Sequence, residues 1–128
     1  EIRANGKFRM LASQDRIFIR AELLEPEIAR SATRMDRRSG DREIWKDNGI
    51  ELFFYSMRTK KFWQIIVNDN GAWASQTSGR ILKKWTQFPG LTVRTFRKSA
   101  AWHAEISIPL AMIGNWHDPE NYGTIILK

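Results

Sequence analysis

Two runs rich in aromatic and β-branched residues, 50–55 and 62–68, contain polar side chains at positions spaced by two. Glu51 lies in the first run, and Gln64 and Asn68 lie in the second. Because successive side chains of a strand alternate between its faces, Glu51 lies among aromatic rings, and Gln64 and Asn68 share one face. Amides donate and accept hydrogen bonds at once, as sugar hydroxyls require. Such a face is either a solvated edge or a shallow polar cleft with apolar walls, and the cleft interpretation predicts a sugar site.

Six tryptophans could supply flat apolar faces that stack on the C–H face of a pyranose. Trp63 and Trp102 share strand faces with β-branched or aliphatic residues, which favours a place in the core. The other four adjoin turns or polar loops: Trp45, Trp73, Trp85 and Trp116. For each of these four, ligand contact and structural packing remain open alternatives.

The carboxylate of Glu51 also has two interpretations. It contacts a ligand, or it is an inward structural acid that an arginine such as Arg20 neutralises, since a lone buried charge is costly. Four further oxygen donors lie in predicted turns: Asp47, Asn48, Asp69 and Asn70. These donors could hold calcium. Their spacing matches no calcium loop, however, which favours plain turns.

Several chemistries lack the residues that they need. The two histidines, His103 and His117, lie apart and without a carboxylate at metal-ligand spacing, which argues against zinc and a histidine-based triad. There is no nucleophile elbow, phosphate loop or dinucleotide fingerprint. Paired carboxylates for glycoside hydrolysis would have to come from residues such as Asp47, Glu51 and Glu105, and the sequence alone does not bring two of them together. We therefore predict a domain that is not an enzyme.

The length of 128 residues predicts a single domain, 1–128, with a sizeable core. The chain begins at Glu1 without a methionine, which favours a fragment or module of a larger protein. The net charge is +7, but the basic clusters fall at predicted turns and form no continuous stripe. We therefore expect a solvated basic surface rather than a nucleic-acid site. No apolar run approaches the ~18 residues of a membrane span, so membrane insertion is not expected.

The chain is patterned as a series of short strands separated by turn signals. Alternation predicts strands over 8–12, 17–24, 44–55, 62–68, 91–96, 101–108 and 122–128, with a returning strand that begins near residue 72. Residues 25–43 are polar and aperiodic, which indicates a long connection. The sequence after Pro109 is also compatible with one short helical turn over 110–113. This pattern predicts an all-β fold, either a sandwich or a barrel.

Four segments carry a resemblance to one family. Residues 44–53, IWKDNGIELF, resemble the W-x-D-D-x-(V/I)-E-(V/L)-F signature of family 9-like carbohydrate-binding modules, with Asn48 in place of the second aspartate. Residues 62–71, FWQIIVNDNG, are similar to the family's Y-Y-Q-(F/I)-x-V-N-x-x-G. Residues 15–19, DRIFI, and 101–110, AWHAEISIPL, resemble its D-x-x-L-Y-(V/I) and W-x-(V/A)-E-(I/A)-x-I-P segments. The four segments occur in the family's order. The last strand resembles either of two family strands.

The resemblance implies an antiparallel β-sandwich that binds a polysaccharide or a glycan end without catalysis. It implies that this domain is an accessory module, covalently linked to neighbouring domains of a secreted glycan-degrading or cell-surface protein, in an extracellular, periplasmic or cell-surface location. The implied carbohydrate-binding residues are Trp45, Glu51, Gln64, Asn68, Trp73 and Trp116. Calcium is the one cofactor that the resemblance leaves open. The alternative function is a structural sandwich that mediates protein–protein or interdomain contacts.

Overall fold

Nine strands carry most of the regular structure in a computed structural model that describes residues 6–24, 36–58, 60–78, 83–86, 89–113 and 121–127. The strands are β1 (Gly6–Ala12), β2 (Arg16–Leu24), β3 (Gly49–Ser56), β4 (Lys61–Asn68), β5 (Trp73–Ser78), β6 (Lys83–Thr86), β7 (Thr92–Lys98), β8 (Ala101–Pro109) and β9 (Asn121–Leu127). Two 3₁₀ helices, Ile44–Lys46 and Leu110–Met112, complete the elements of this described part.

The strands form two sheets in which every pairing is antiparallel. One sheet has four strands in the order β1-β2-β8-β7, and the other has five in the order β6-β5-β4-β3-β9. One hydrophobic core draws its buried residues from both sheets, which is the arrangement of a β-sandwich. The predicted antiparallel β-sandwich is confirmed. Strand β1 pairs with β2, and β3 pairs with β4.

Alternating burial places the core where the sequence predicts it. Along β2, Ile17, Ile19, Ala21 and Leu23 are buried, whereas Phe18, Arg20 and Glu22 are exposed. Each sheet therefore has a core face and an outer face. The tryptophans assigned to the core also lie there. Trp102 is fully buried, and Trp63 is half-buried against the same cluster.

The Asp-Asn-Gly sequence before β3 needs its glycine for steric reasons. A Cβ atom on Gly49 would lie 2.4 Å from the carbonyl oxygen of Val67 on the neighbouring strand, which no side chain tolerates without a backbone shift. The β4–β5 connection ends at Gly71, whose φ of 87° lies in the region that favours glycine. The predicted tight turn over 68–71 is confirmed, and it brings Asn68 and Asp69 beside the residues that precede β3.

Two boundaries differ from the sequence-based expectation. Residues 44–46 form a 3₁₀ turn instead of the start of β3, because Ile44 packs against the outer face of the five-stranded sheet and Asp47 is engaged in side-chain hydrogen bonds. Strand β6 was not predicted, since its polar sequence KKWT shows no hydrophobic alternation. The helical turn after Pro109 is confirmed as the 3₁₀ helix Leu110–Met112. None of the helices in the described ranges has the length and hydropathy needed to span a bilayer.

Candidate functional site

A row of three polar side chains crosses the outer face of the five-stranded sheet. Gln64 on β4 donates a hydrogen bond of 3.0 Å from its Nε2 to Oε2 of Glu51 on β3. Gln76 on β5 donates from its Nε2 to Oε1 of the same Gln64. All three are buried, with 7% of Glu51 and 8% of each glutamine exposed. We call these three residues the polar row.

Strand register explains why the polar row lies on the outer face. Ile50 and Leu52, which flank Glu51 in β3, are fully buried in the core, so Glu51 lies on the opposite side of the sheet. In the register, Gln64 pairs with Phe53 on one side and with Gln76 on the other. Because cross-strand partners share a face, the row runs over three adjacent strands. The predicted sharing of faces in β3 and β4 is thus confirmed.

Three aromatic side chains accompany the polar row on the same face: Phe53, Tyr55 and Phe62. Each is only partly buried, in contrast to the aliphatic residues on the core side of the same strands. The face therefore combines a hydrogen-bonded polar line with partly exposed aromatic surface. This combination can accept and donate hydrogen bonds while it packs against an apolar or C–H surface.

The 3₁₀ helix Ile44–Lys46 covers one end of this face. Ile44 packs into a small apolar cluster with Ile66, Ala72 and Ala74, and Ile66 is the next residue on the same face after Gln64. The following residue, Trp45, is 50% exposed. The ammonium group of Lys46 lies 5.6 Å from the centroid of the Trp45 ring. The exposed ring of Trp45 therefore belongs to the short helix that covers this end of the face.

Behind this end, Asp47 forms a buried ion pair with Arg37. The guanidinium donates from Nε to Oδ2 and from Nη2 to Oδ1, both at 3.1 Å, and the two side chains are almost entirely buried. Asn68 donates a further hydrogen bond of 2.9 Å to Oδ2 of Asp47. The hydrogen bond to Asp47 raises the pKa of Arg37 above its ordinary value, burial opposes this, and Asp41 adds to the rise. The guanidinium is consequently charged at every pH at which proteins fold.

A second ion pair links the turn after β4 to the other sheet. Oδ2 of Asp69 accepts hydrogen bonds from Arg97 at 2.9 Å and from Asn48 at 3.0 Å. Arg97 belongs to β7 of the four-stranded sheet. The Asp-Asn-Gly sequence and the 68–71 turn are therefore fastened to each other and to the second sheet.

Carboxylate oxygen atoms that could bind calcium in these turns already accept hydrogen bonds from other side chains. The carboxylates of Asp47 and Asp69 bind arginine side chains, and Asn48 and Asn68 donate to those same carboxylates. Within the described ranges, no group of three or more histidine, aspartate or glutamate side chains has a geometry that could hold a metal ion. Arginine supplies the positive charge at both carboxylates, which fits the interpretation of these segments as turns.

Two of the predicted binding residues are in packed positions. Asn68 is fully buried, and its Oδ1 accepts hydrogen bonds from the backbone N–H groups of Asn70 and Ala72 at 3.1 and 2.9 Å. Trp73 is half-buried against the core cluster, at the register position opposite the buried Val67. In this structure Asn68 positions Asp47 and the turn, and Trp73 contributes to the sandwich interior. Direct contact of either side chain with a ligand stays a prediction.

The remaining predicted residues fall into different groups. Glu51 and Gln64 are brought into direct contact, and Trp45 lies at the same end of the molecule as Ile66. Trp116 lies outside the described residues. Strand β6 places Trp85 at the register position opposite Gln76.

Arg20 is not the partner of Glu51. Arg20 is exposed on the outer face of β2 in the four-stranded sheet, opposite Arg9 and Glu105, whereas Glu51 lies on the outer face of the other sheet. The core separates the two faces, so the neutralisation that the sequence suggested does not occur. Glu51 is instead hydrogen-bonded by an amide. The same separation keeps Glu105 away from Glu51, so these two carboxylates cannot act as a pair on one glycosidic bond.

Sequence reasoning missed the third member of the polar row. Gln76 lies in a segment where alanine, serines and threonine surround it, so no hydrophobic alternation marks the strand. A signal was present nevertheless. Once Trp73 is taken as the start of β5, alternation puts Ala74 and Gln76 on the face of Ile66 and Gln64.

Solved structures share this fold at low sequence identity. A Bacteroides uniformis protein described as a candidate carbohydrate-binding protein superposes with a TM-score of 0.70 and 14% identity over 88% of this chain and 55% of that one. A family 9 carbohydrate-binding module from Caldicellulosiruptor kristjanssonii, solved in complex with glucose, superposes with a TM-score of 0.55 and 15% identity over 87% of this chain and 52% of that one.

This chain thus spans about half the length of the solved structures that it matches. No family model matches its sequence, and no curated protein matches it either. The structural matches show the fold class. The chain has the antiparallel β-sandwich fold of family 9-like carbohydrate-binding modules, as the four sequence segments predict.

Proposed function

We propose that the outer face of the five-stranded sheet binds carbohydrate. The observation that carries this proposal is the polar row, in which a carboxylate and two amides are linked in series on a face that also bears partly exposed aromatic rings. A solvent-facing side of a sheet needs no buried, mutually bonded polar side chains. Such a line is suited to sugar hydroxyl groups, because both hydroxyls and amides donate and accept hydrogen bonds.

The chemistry of each side chain assigns it a role in this proposal. Glu51 accepts hydrogen bonds from sugar hydroxyls, and the amide of Gln64 fixes the orientation of its carboxylate. Gln76 has a carbonyl oxygen that accepts no hydrogen bond from any side chain of the described residues, so it offers an acceptor to the ligand. The ring of Trp45 stacks against a pyranose at the covered end of the face. Both structural matches carry a carbohydrate-binding description, which supports the same ligand class.

The proposed role is binding without catalysis. Glu51 and Glu105 lie on opposite outer faces, and Asp47 is enclosed by Arg37 and Asn68. No pair of these carboxylates stands free on one face to act as acid and base. We further propose, from the sequence resemblance, that the domain is an accessory module of a larger glycan-degrading or cell-surface protein that works outside the cytoplasm.

Isothermal titration against neutral oligosaccharides tests the proposal. Xylan, cellulose and mannan oligomers form the panel, and host glycans extend it. The Gln64→Leu variant removes both hydrogen bonds of the row, so we expect the affinity for the bound sugar to fall at least tenfold, which is ~1.4 kcal/mol or more. Gln76→Leu, which removes one hydrogen bond and the terminal acceptor, should act in the same direction.

Gln14→Leu is the matched control, because Gln14 is exposed in the turn between β1 and β2, away from the polar row. Circular dichroism of all variants separates lost binding from lost structure. Tenfold weakening in a folded Gln64→Leu or Gln76→Leu variant, with Gln14→Leu unchanged, supports the proposal. Failure of the wild-type domain to bind any member of the panel would reject it and leave the interdomain-contact function as the better one.

A further inference from the structure

A groove of about 610 Å³ runs across the outer face of the four-stranded sheet, on the opposite side of the molecule from the polar row. All four strands contribute to its lining. Two lines of cross-strand neighbours cross this face. The basic line consists of Arg9, Arg20, Glu105 and Arg94, and the neighbouring line, apolar at one end and hydroxyl-bearing at the other, consists of Leu11, Phe18, Ser107 and Thr92. A volume of this size lies in the range of small-ligand sites, about 300–1,000 Å³.

The basic line brings three arginines together. Arg9 lies directly opposite Arg20 in the β1–β2 register, and Arg94 lies opposite Glu105 in the β7–β8 register. Like charges at directly opposed positions destabilise a sheet. Among the described residues neither Arg9 nor Arg20 has an ion-pair partner. Glu105, which lies opposite Arg20, is 3.5 Å from a guanidinium nitrogen of Arg94 instead. Arg9 and Arg20 thus present two exposed guanidinium groups to the groove without an ion pair among the described residues, and the carboxylates of Glu22 and Glu105 lie on the same face.

The neighbouring line supplies apolar and hydroxyl surface. Leu11 is 69% exposed and pairs with Phe18, which is 42% exposed. Phe18 in turn lies opposite Ser107, and Ser107 lies opposite Thr92. The exposed leucine and phenylalanine lie side by side and form a small apolar patch at this end of the line. The groove thus offers positive charge, a flat ring and hydroxyls within one concavity.

We propose that this groove is a second ligand site, which binds an acidic saccharide whose sugar units carry carboxylates. The guanidinium groups of Arg9 and Arg20 form forked hydrogen bonds to uronate carboxylates, which match the planar fork of arginine. The ring of Phe18 packs against the C–H face of the adjoining sugar unit. The choice of a saccharide rests on the proposed function of the domain, whereas the choice of an anion rests on the two exposed arginines that form no ion pair among the described residues.

The concave shape separates this proposal from a protein-docking surface. Specific protein interfaces bury about 800 Å² per partner over surfaces that need not be recessed. Here the arginines line a groove whose size suits a few linked sugar units. Arg16, which donates to Oγ of Ser107 at 2.6 Å, fastens the hydroxyl-bearing line of the groove.

Isothermal titration with oligogalacturonate tests the site, with the carboxyl-reduced oligosaccharide as the matched neutral ligand. We expect the wild-type domain to bind the acidic oligomer and to bind its reduced counterpart at least tenfold more weakly. The double variant Arg9→Gln/Arg20→Gln should lose at least tenfold in affinity for the acidic oligomer. The double variant Arg38→Gln/Arg42→Gln is the charge-matched control, because both arginines are exposed in the segment before β3, outside the groove. It should remain within twofold of wild type.

Other outcomes overturn the proposal. Equal weakening by the two double variants would mean that only net charge matters. Equal binding of polyaspartate or a single-stranded oligonucleotide would mean that the groove selects charge and not an acidic sugar. Phe18→Ala should weaken binding of the acidic oligomer about fivefold or more. Unchanged affinity in this variant would reject the proposed stacking contact of Phe18. If the neutral panel fails while the acidic oligomer binds in an Arg9- and Arg20-dependent manner, the five-stranded face loses its proposed function and this groove keeps its own.

Discussion

Arg37 donates a hydrogen bond of 3.1 Å to each carboxylate oxygen of Asp47, and both side chains are buried. Asp47 is the aspartate that matches the signature of family 9-like modules. Its function here is to fix the segment before β3, because the same carboxylate also accepts a hydrogen bond from Asn68. The buried Arg37 thus positions Asp47, and through it Asn68, beneath the end of the candidate site that the 3₁₀ helix Ile44–Lys46 covers.

Replacement of Arg37 by methionine should destabilise the domain. The change removes the guanidinium that neutralises the buried Asp47 carboxylate, and broken buried ion pairs cost about 3–5 kcal/mol. Urea unfolding followed by tryptophan fluorescence measures the free energy of unfolding. Arg38→Met is the matched control, since Arg38 is exposed, and it should change that free energy by less than about 0.5 kcal/mol. Equal stability of the two variants would contradict a structural role for the pair.

Replacement of Trp45 by alanine should separate binding from stability. Half of this side chain is exposed, so its loss should leave the unfolding free energy within about 0.5 kcal/mol of wild type. Affinity for the neutral sugar that binds best should fall by about 1–3 kcal/mol, the usual loss for an aromatic anchor. Isothermal titration gives the affinity, and urea unfolding gives the stability. Unchanged affinity would remove Trp45 from the proposed site.

Replacement of Trp73 by alanine should lower the stability of the domain and leave its sugar affinity unchanged. This ring packs against the core cluster, so truncation should destabilise the domain by about 3 kcal/mol through a cavity. Affinity at a temperature where the variant is fully folded should stay close to wild type. A large loss of affinity in a stable variant would instead support the carbohydrate contact that the sequence resemblance implies for Trp73.

Replacement of Asn68 by alanine should loosen the 68–71 turn. Three hydrogen bonds end at this side chain, from its amide to Asp47 and to its carbonyl from the N–H groups of Asn70 and Ala72. Their loss in a fully buried position should cost about 2–4 kcal/mol. Asn70→Ala tests the neighbouring position of the same turn with a smaller expected effect, because the interaction recorded for Asn70 is through its backbone N–H. Thermal unfolding compares the two variants.

The carboxylate of Glu43 provides a test by titration. The hydrogen bond of 2.8 Å that Lys46 donates to Glu43 lowers the pKa of this carboxyl below its ordinary value. The folded-state pKa lies below the unfolded one, so this contact contributes stability above the ordinary pKa and loses it as the pH falls through the lowered value. NMR titration should give the lowered pKa in wild type and a return toward the ordinary value in Lys46→Gln. No change in that variant would contradict the contact.

Much of the fold was predictable because short-range patterns carry it. Alternation along β2 separates Ile17 and Ile19 from Phe18 and Arg20, and burial follows that division residue by residue. The turn at 68–71 was predictable because Asn, Asp and Gly favour the backbone that it needs. Strand β6 was not predictable, since its four residues KKWT carry no alternation and form a strand through pairing with β5.

The candidate site was predictable only in part, because cross-strand neighbours come from register. The sequence placed Glu51 and Gln64 on polar faces of two strands, but their hydrogen bond depends on a diagonal pairing between those strands. Gln76 joined the row only when β5 was aligned beside β4. The amide of Asn68 could bind a ligand, but in the structure it is buried and stabilises the turn. The residue type alone does not reveal that burial.

The amino-acid sequence by itself determined that this chain forms short antiparallel strands with one apolar face each, because side-chain alternation and turn residues act over a few positions. Only the tertiary structure decided which polar groups meet. It put Arg20 and Glu51 on opposite sides of one core, gave Asp47 to Arg37, and aligned three strands so that Glu51, Gln64 and Gln76 form one line. The physical reason is that charge pairing and hydrogen bonding act between atoms a few ångströms apart, and that separation is set by how the sheets pair and pack.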